Sequence, residues 1–202
     1  MLSLTNLPKK IMGLSIHYSG SIIHEGMINP LVEEVTDICI TLQWKFHLFD
    51  DEHFKGISFS PLNSEPVFLT FIPDGRLCSY VTKLNLASYE AKGLDLQFWY
   101  TERTKTHYGG IDAHIAIIKL LKYVSKKYLK DFVLDDEGKY WETGDEQILK
   151  AQFDNYNRIM GVVADLMSNM KNIPFESSLS LAERIEKVLK DKLKGLDEKK
   201  DD

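Results

Sequence analysis

The sequence predicts an α+β fold: a mixed, mostly antiparallel sheet packed by amphipathic helices, with a helical appendage at the C-terminus. Three observations carry that expectation. Short segments with two-residue apolar alternation cluster between residues 44 and 81, separated by tight turns, as in an antiparallel meander. Longer segments repeat their apolar residues at spacings of three and four, which gives a helix one buried face. Two capping boxes, Thr143/Glu146 and Ser180/Glu183, mark helix starts late in the chain.

Taken in order, residues 1–12 read as a loose arm and Gly13 to Tyr18 as a first strand, broken by Ser19, Gly20 and Ser21. Asn29 suits an N-cap and Pro30 a first helical position, because proline lacks only an N–H that has no partner there. Leu31, Val32, Val35, Ile38, Cys39 and Leu42 form the stripe of the first helix. Strands follow at 44–49, 56–59 and 66–72. Pro73-Asp74-Gly75 then turns the chain, since proline presets φ and glycine accepts a positive one, and Arg76 to Val81 returns as the hairpin partner.

Leu94 to Thr101 is the next expected strand and Glu102 to Gly110 a loop. The second helix runs from Asp112 to Tyr128, with His114, Ile117, Ile118, Leu121, Val124 and Tyr128 on one face. A strand at 131–134, an acidic turn and a further strand at 139–142 lead to a long third helix opened by the Thr143/Glu146 box. A fourth helix carries Ile185, Val188, Leu189 and Leu193 on its stripe. The expected organisation is one domain over 1–172, with the last helix and a charged tail at 173–202.

Val32–Asp51 laid on Ile117–Asp136 matches apolar helix positions and ends both segments in paired aspartates. A duplicated βαβ unit, with halves at 13–82 and 94–145 sharing one sheet, is therefore an expectation to test.

The strings HYSG (His17–Gly20), EEVTDI (Glu33–Ile38), Leu42 with Trp44, PVFLTFIPDGRL (Pro66–Leu77) and the run from His114 to Asp145 resemble, in that order, the motifs of an uncharacterised conserved bacterial family. The resemblance covers most of the chain up to about Asn169. No established activity attaches to that family, so it implies no function.

The totals exclude some classes. A chain of 202 residues with 44% hydrophobic and 27% charged residues can build one good core. A net charge of −5 disfavours a general nucleic-acid or anionic-membrane binder, which needs basic surface. No long apolar segment is present, so no membrane span and no secretory signal are expected, and the setting reads as soluble and cytoplasmic, with a bacterial host implied by the family resemblance. Cys39 and Cys78 sit in apolar stretches and read as buried free thiols.

The densest chemistry lies between Lys105 and His114. Lys105, Gly109 and Gly110 precede a helix start, where free N–H groups can hold an anion. Neither a Walker loop nor a dinucleotide fingerprint is present. His107, His114 and Asp112, with Glu142 approaching from a neighbouring strand end, form a candidate catalytic or metal set. The spacing matches no standard metal motif, and His114 falls on the helix stripe, where a hydrogen-bonded core histidine is the plainer reading. Asp50-Asp51 and Asp135-Asp136-Glu137 read as turns. No cofactor is strongly implied.

Two functions follow. The leading one is a non-catalytic cytoplasmic binding or protein-interaction domain, with the last helix as a contact for a protein partner or a second copy. The rival is a metal- or phosphate-handling, hydrolase-like enzyme centred on the Lys105–His114 segment.

Overall fold

The computed structural model describes residues 14–52, 54–61, 63–80, 82–83 and 100–170. Contacts divide the chain into two compact units, one of Met12–Phe153 and one of Met1–Ile11 with Asp154–Asp202. The expected strand at 94–101 lies almost wholly outside the described residues, and the expected helix beyond Ser180 lies entirely outside them.

The α+β class holds. The elements are β1 (Ser15–Ile22), a 3-10 turn (Glu25–Met27), α1 (Ile28–Thr41), β2 (Lys45–Asp50), β3 (Lys55–Ser60), β4 (Val67–Phe71), β5 (Glu102–Lys105), α2 (Gly110–Tyr128), β6 (Leu129–Asp136), α3 (Tyr140–Thr143) and α4 (Glu146–Met170). The strands form two antiparallel sheets, ordered β5-β1-β6 and β2-β3-β4. The strands flanking α1 thus lie in different sheets, whereas those flanking α2 lie in one sheet on either side of β1. Among the described residues the strands that follow the two aligned helices, β2 and β6, thus lie in different sheets and not in the single sheet expected of a duplicated unit.

β1 runs through the serines and glycine expected to end it. A register shift between Ser19 and Ser21 absorbs an irregularity opposite Asp131, whose φ is +52°, a left-handed value that aspartate tolerates better than most residues. Gly20 allows the close approach this needs, because a Cβ there would lie 3.2 Å from Phe132 Cα.

Two links join the sheets within the Met12–Phe153 unit. Tyr18 is buried, and its hydroxyl donates to Phe68 O at 3.0 Å and accepts from Phe68 N at 2.9 Å. The turn after β4 is the second link. Ile22 N donates to Gly75 O and Leu77 N to Gly20 O, so the chain after β4 runs along the second half of β1, which β5 does not cover. Of the hairpin partner expected over 76–81, the described part pairs with the end of β4 only from Arg76 to Cys78, through Ile72 N to Arg76 O and Cys78 N to Thr70 O.

The helices form where the stripes require them. Ile28, Leu31, Val35 and Cys39 are the buried residues of α1. This helix starts before Asn29, because the 3-10 turn leads into it and no side chain caps it. α2 buries a broader face, from His114 to Tyr128. The two helices are clamped by Glu34, whose Oε1 accepts from Tyr123 OH at 2.6 Å and from Lys127 Nζ at 3.0 Å, with Tyr128 OH on its other oxygen. The Tyr123 and Tyr128 hydroxyls and the Lys127 cation together hold the Glu34 carboxyl down at about 2. Lys139–Glu142, expected as a strand, is instead the N-cap and most of the short helix α3, and Asp145 rather than Thr143 caps α4, its Oδ1 accepting from Gln147 N at 2.7 Å. No helix among the described residues is long and apolar enough to cross a membrane.

Candidate functional site

The buried polar centre of the Lys105–His114 region is His114. It projects from the first turns of α2 and has no exposed surface. Its Nδ1 lies 2.8 Å from Thr106 Oγ1, and its Nε2 lies 3.1 Å from Asp136 Oδ1. The second contact is of ion-pair distance but poorly directed for a hydrogen bond. Phe153 meets the ring edge-on, with centroids 5.9 Å apart.

Each partner of His114 is held by backbone. Thr106 N donates to Leu14 O at 3.0 Å, which fixes the loop beside β1. Asp136 ends β6 and turns its carboxylate inward. Its Oδ1 accepts from Gly138 N at 2.7 Å and its Oδ2 from Tyr140 N at 2.8 Å and Trp141 N at 2.9 Å. Burial pushes the Asp136 carboxyl up, but the His114 contact and the N–H groups of Trp141 and Gly138 outweigh it and hold the carboxyl below the usual aspartate range. Gly138 leaves room for the ring, since a Cβ there would lie 2.8 Å from His114 Nε2 and 2.6 Å from Leu149 Cδ1.

The other candidates point elsewhere. His107 lies against exposed Tyr108 with the rings tilted by 52° and their centroids 3.9 Å apart, and burial together with the Lys105 charge lowers its pKa against the pull of Glu65. Lys105 ends β5, and its backbone N–H donates to Glu65 Oε2 at 3.0 Å. Gly109 N and Gly110 N both donate to Thr106 O, at 2.9 and 3.1 Å, so these two N–H groups close the loop on itself. Asp112 is exposed in the first turn of α2, and Glu142 is exposed in α3. Among the described residues no three His, Cys, Asp or Glu side chains form a group able to hold a metal ion.

Glu102, at the start of the expected loop and absent from the sequence-derived candidates, is a buried carboxyl on β5, opposite Tyr18. Burial raises its pKa, opposed by Ser79 N, which donates to Oε1 at 2.6 Å, and by the Thr82 hydroxyl at 3.5 Å. Burial, and next the Glu102 charge, push the neighbouring Cys78 thiol up to about 12, so it is no nucleophile at neutral pH.

A cavity of about 240 Å³ opens near the end of β1, with Ile22, Phe54 and Phe71 in its lining and Lys55 and Asp74 among its polar residues. It is smaller than the roughly 300 Å³ at which small-molecule sites usually begin. None of the Lys105–His114 residues lines it.

The larger exposed feature is the corner from α1 into β2. Ile40 is 62% exposed, Leu42 47%, Phe46 39% and Leu48 48%. Phe46 and Leu48 share the sheet face of Phe59 and Ile57, their partners in β3, which are almost fully buried. The alternation of Phe46 and Leu48 with Lys45 and His47 marks the strand in sequence, but not that its apolar residues stay half-exposed.

No family model, curated protein or solved structure matches this chain.

Proposed function

We propose that this chain is a non-catalytic binding domain that works by protein contact, with the corner from α1 into β2 as its contact face. The observation that carries the reading is the run of exposed apolar side chains from Ile40 and Leu42, at the end of α1, to Phe46 and Leu48 on β2, a strand whose outer edge no other described residue pairs. Edge strands are normally blunted by charge, proline or a bulge along their length. β2 carries charge only at its ends, Lys45 and Asp50. An apolar, hydrogen-bonding edge of this kind is suited to protein contact.

The chemistry of the Lys105–His114 segment also supports binding over catalysis. Both His114 nitrogens face protein groups, three backbone N–H groups occupy the Asp136 carboxylate, and Gly109 and Gly110 spend their N–H groups on Thr106. A general base or metal ligand needs a lone pair that substrate or metal can reach. Reduced, buried Cys39 and Cys78 fit the cytoplasm we assign to the protein. The bacterial host rests on the family resemblance alone.

A photo-crosslinking residue placed at Leu48 tests the reading in living cells, with one at exposed Lys119 on α2 as control. The expected result is a discrete adduct from position 48, identified by mass spectrometry, and none from position 119. Equal or absent crosslinking at both positions would end the proposal.

A further inference from the structure

Resting on that reading, we infer that the partner at β2 is a second copy of this chain, joined by two-fold antiparallel pairing of the two β2 edges into one six-stranded sheet. Three features of the strand point to itself as its complement.

The first is charge. Lys45 opens β2, while Asp50 and Asp51 stand at its far end. In an antiparallel pair of identical strands, the lysine end of each copy meets the aspartate end of the other, and this happens twice by symmetry. A parallel self-pairing would instead set like charges side by side. The strand is therefore self-complementary in one direction only.

The second is the faces. Opposed residues in an antiparallel pair point to the same side of the sheet, so a two-fold axis through the strand pairs residues of equal parity. An axis at His47 sets Phe46 of each copy opposite Leu48 of the other. Two half-exposed apolar side chains then cover each other on the side where Phe59 and Ile57 are already buried. Cross-strand apolar pairs of this kind are the unit of sheet stabilisation. Lys45 falls diagonally opposite Asp51 of the other copy in the same register.

The third is length. β2 has six residues, matched along its whole length by β3. A strand of that size, supported from behind, offers a full outer ladder to pair. Ile40 and Leu42 flank it at the end of α1 and extend the apolar contact.

Sedimentation of the full 23.3 kDa chain over a range of concentrations tests the inference. The wild type is expected to be a dimer. Leu48→Lys is expected to weaken association by about a hundredfold or more, because it puts a charge opposite Phe46 of the other copy. Lys45→Glu lies at an exposed position and serves if the first variant folds poorly. It should weaken the dimer about tenfold, and so should the double variant Asp50→Lys, Asp51→Lys. Mixing those two proteins should restore association, since both charge pairs are again opposite in sign in the mixed dimer. A wild type that stays monomeric overturns the inference, whether the β2 amides exchange freely or are protected by another part of the same chain. A dimer indifferent to all three variants also overturns it. A position-48 adduct with a different protein overturns it too while leaving the binding reading intact, so the two failures are distinguishable.

Discussion

Asp136 Oδ1 lies 3.1 Å from His114 Nε2, and neither side chain has exposed surface. The same carboxylate takes the N–H groups of Gly138, Tyr140 and Trp141. One side chain thus ties the end of β6 to α2 and to the start of α3. Removing it would leave three backbone donors without their acceptor and the buried His114 Nε2 without its nearest polar neighbour. Asp136→Ala is therefore expected to cost about 3 kcal/mol or more, since each buried donor left unpaired costs about 1–3 kcal/mol. Urea unfolding at pH 7 measures it, and a loss below about 1 kcal/mol would show that the network carries no stability. Because the folded pKa is depressed, this contribution is complete above the ordinary aspartate value, about 3.9, and fades as pH falls through the lower folded one.

Gly138 is expected to resist substitution for a reason of space. Its added Cβ would stand 2.8 Å from the His114 ring and 2.6 Å from Leu149 Cδ1. The leucine tip can turn aside, but the ring is held on both sides by Thr106 and Asp136. Gly138→Ala should cost about 1–3 kcal/mol, as overpacking does. The double variant with Leu149→Ala should not recover it, since the obstacle is the ring. Recovery on thermal unfolding would place the strain at Leu149 instead.

The helices were legible because their buried positions are apolar and spaced by three and four, as Leu31, Val35 and Cys39 show in α1 and Ile117, Leu121 and Val124 in α2. β5 was hidden because its two inward residues are Glu102 and Thr104, so its alternation is polar against charged. Their burial depends on pairing with β1, far away in sequence. Asp136 looked like an ordinary turn residue, and it does accept from Gly138 two positions on. Which of three successive acids faces inward, and toward which histidine, is set by strand parity and by the docking of α2. Neither is a local property of the string DDEG. His114 was legible as a core histidine from its place on the stripe, but its partners were not.

Glu102 predicts a pH dependence opposite to that of Asp136. Its folded pKa is raised, chiefly by burial. A carboxyl with a raised folded pKa contributes stability at pH values below its unfolded one, about 4.3, and loses it as pH rises through the folded value. At neutral pH the buried charge therefore works against the fold. Glu102→Gln keeps an oxygen for Ser79 N and removes that charge. The variant should gain melting temperature relative to wild type between pH 4 and pH 8, by a few degrees for each 1 kcal/mol recovered. A difference that stays constant over that interval would mean Glu102 does not titrate there.

Tyr18 carries the last prediction. Its hydroxyl both gives a hydrogen bond to Phe68 O and receives one from Phe68 N, so a single atom satisfies both backbone groups of one β4 residue. Burial, reinforced by Glu102, keeps the phenol protonated well above its ordinary range, so it remains a donor at every pH at which the fold survives. Tyr18→Phe preserves the ring and its volume but leaves an N–H and a C=O without partners. The expected cost is about 1–3 kcal/mol, the desolvation penalty of buried polar groups left unpaired. A purely global effect would lower protection of all slow amides equally. If the hydroxyl links the two sheets, the Phe68 amide should exchange faster by a larger factor than amides of β1 and β6. Uniform loss of protection would assign Tyr18 a packing role alone.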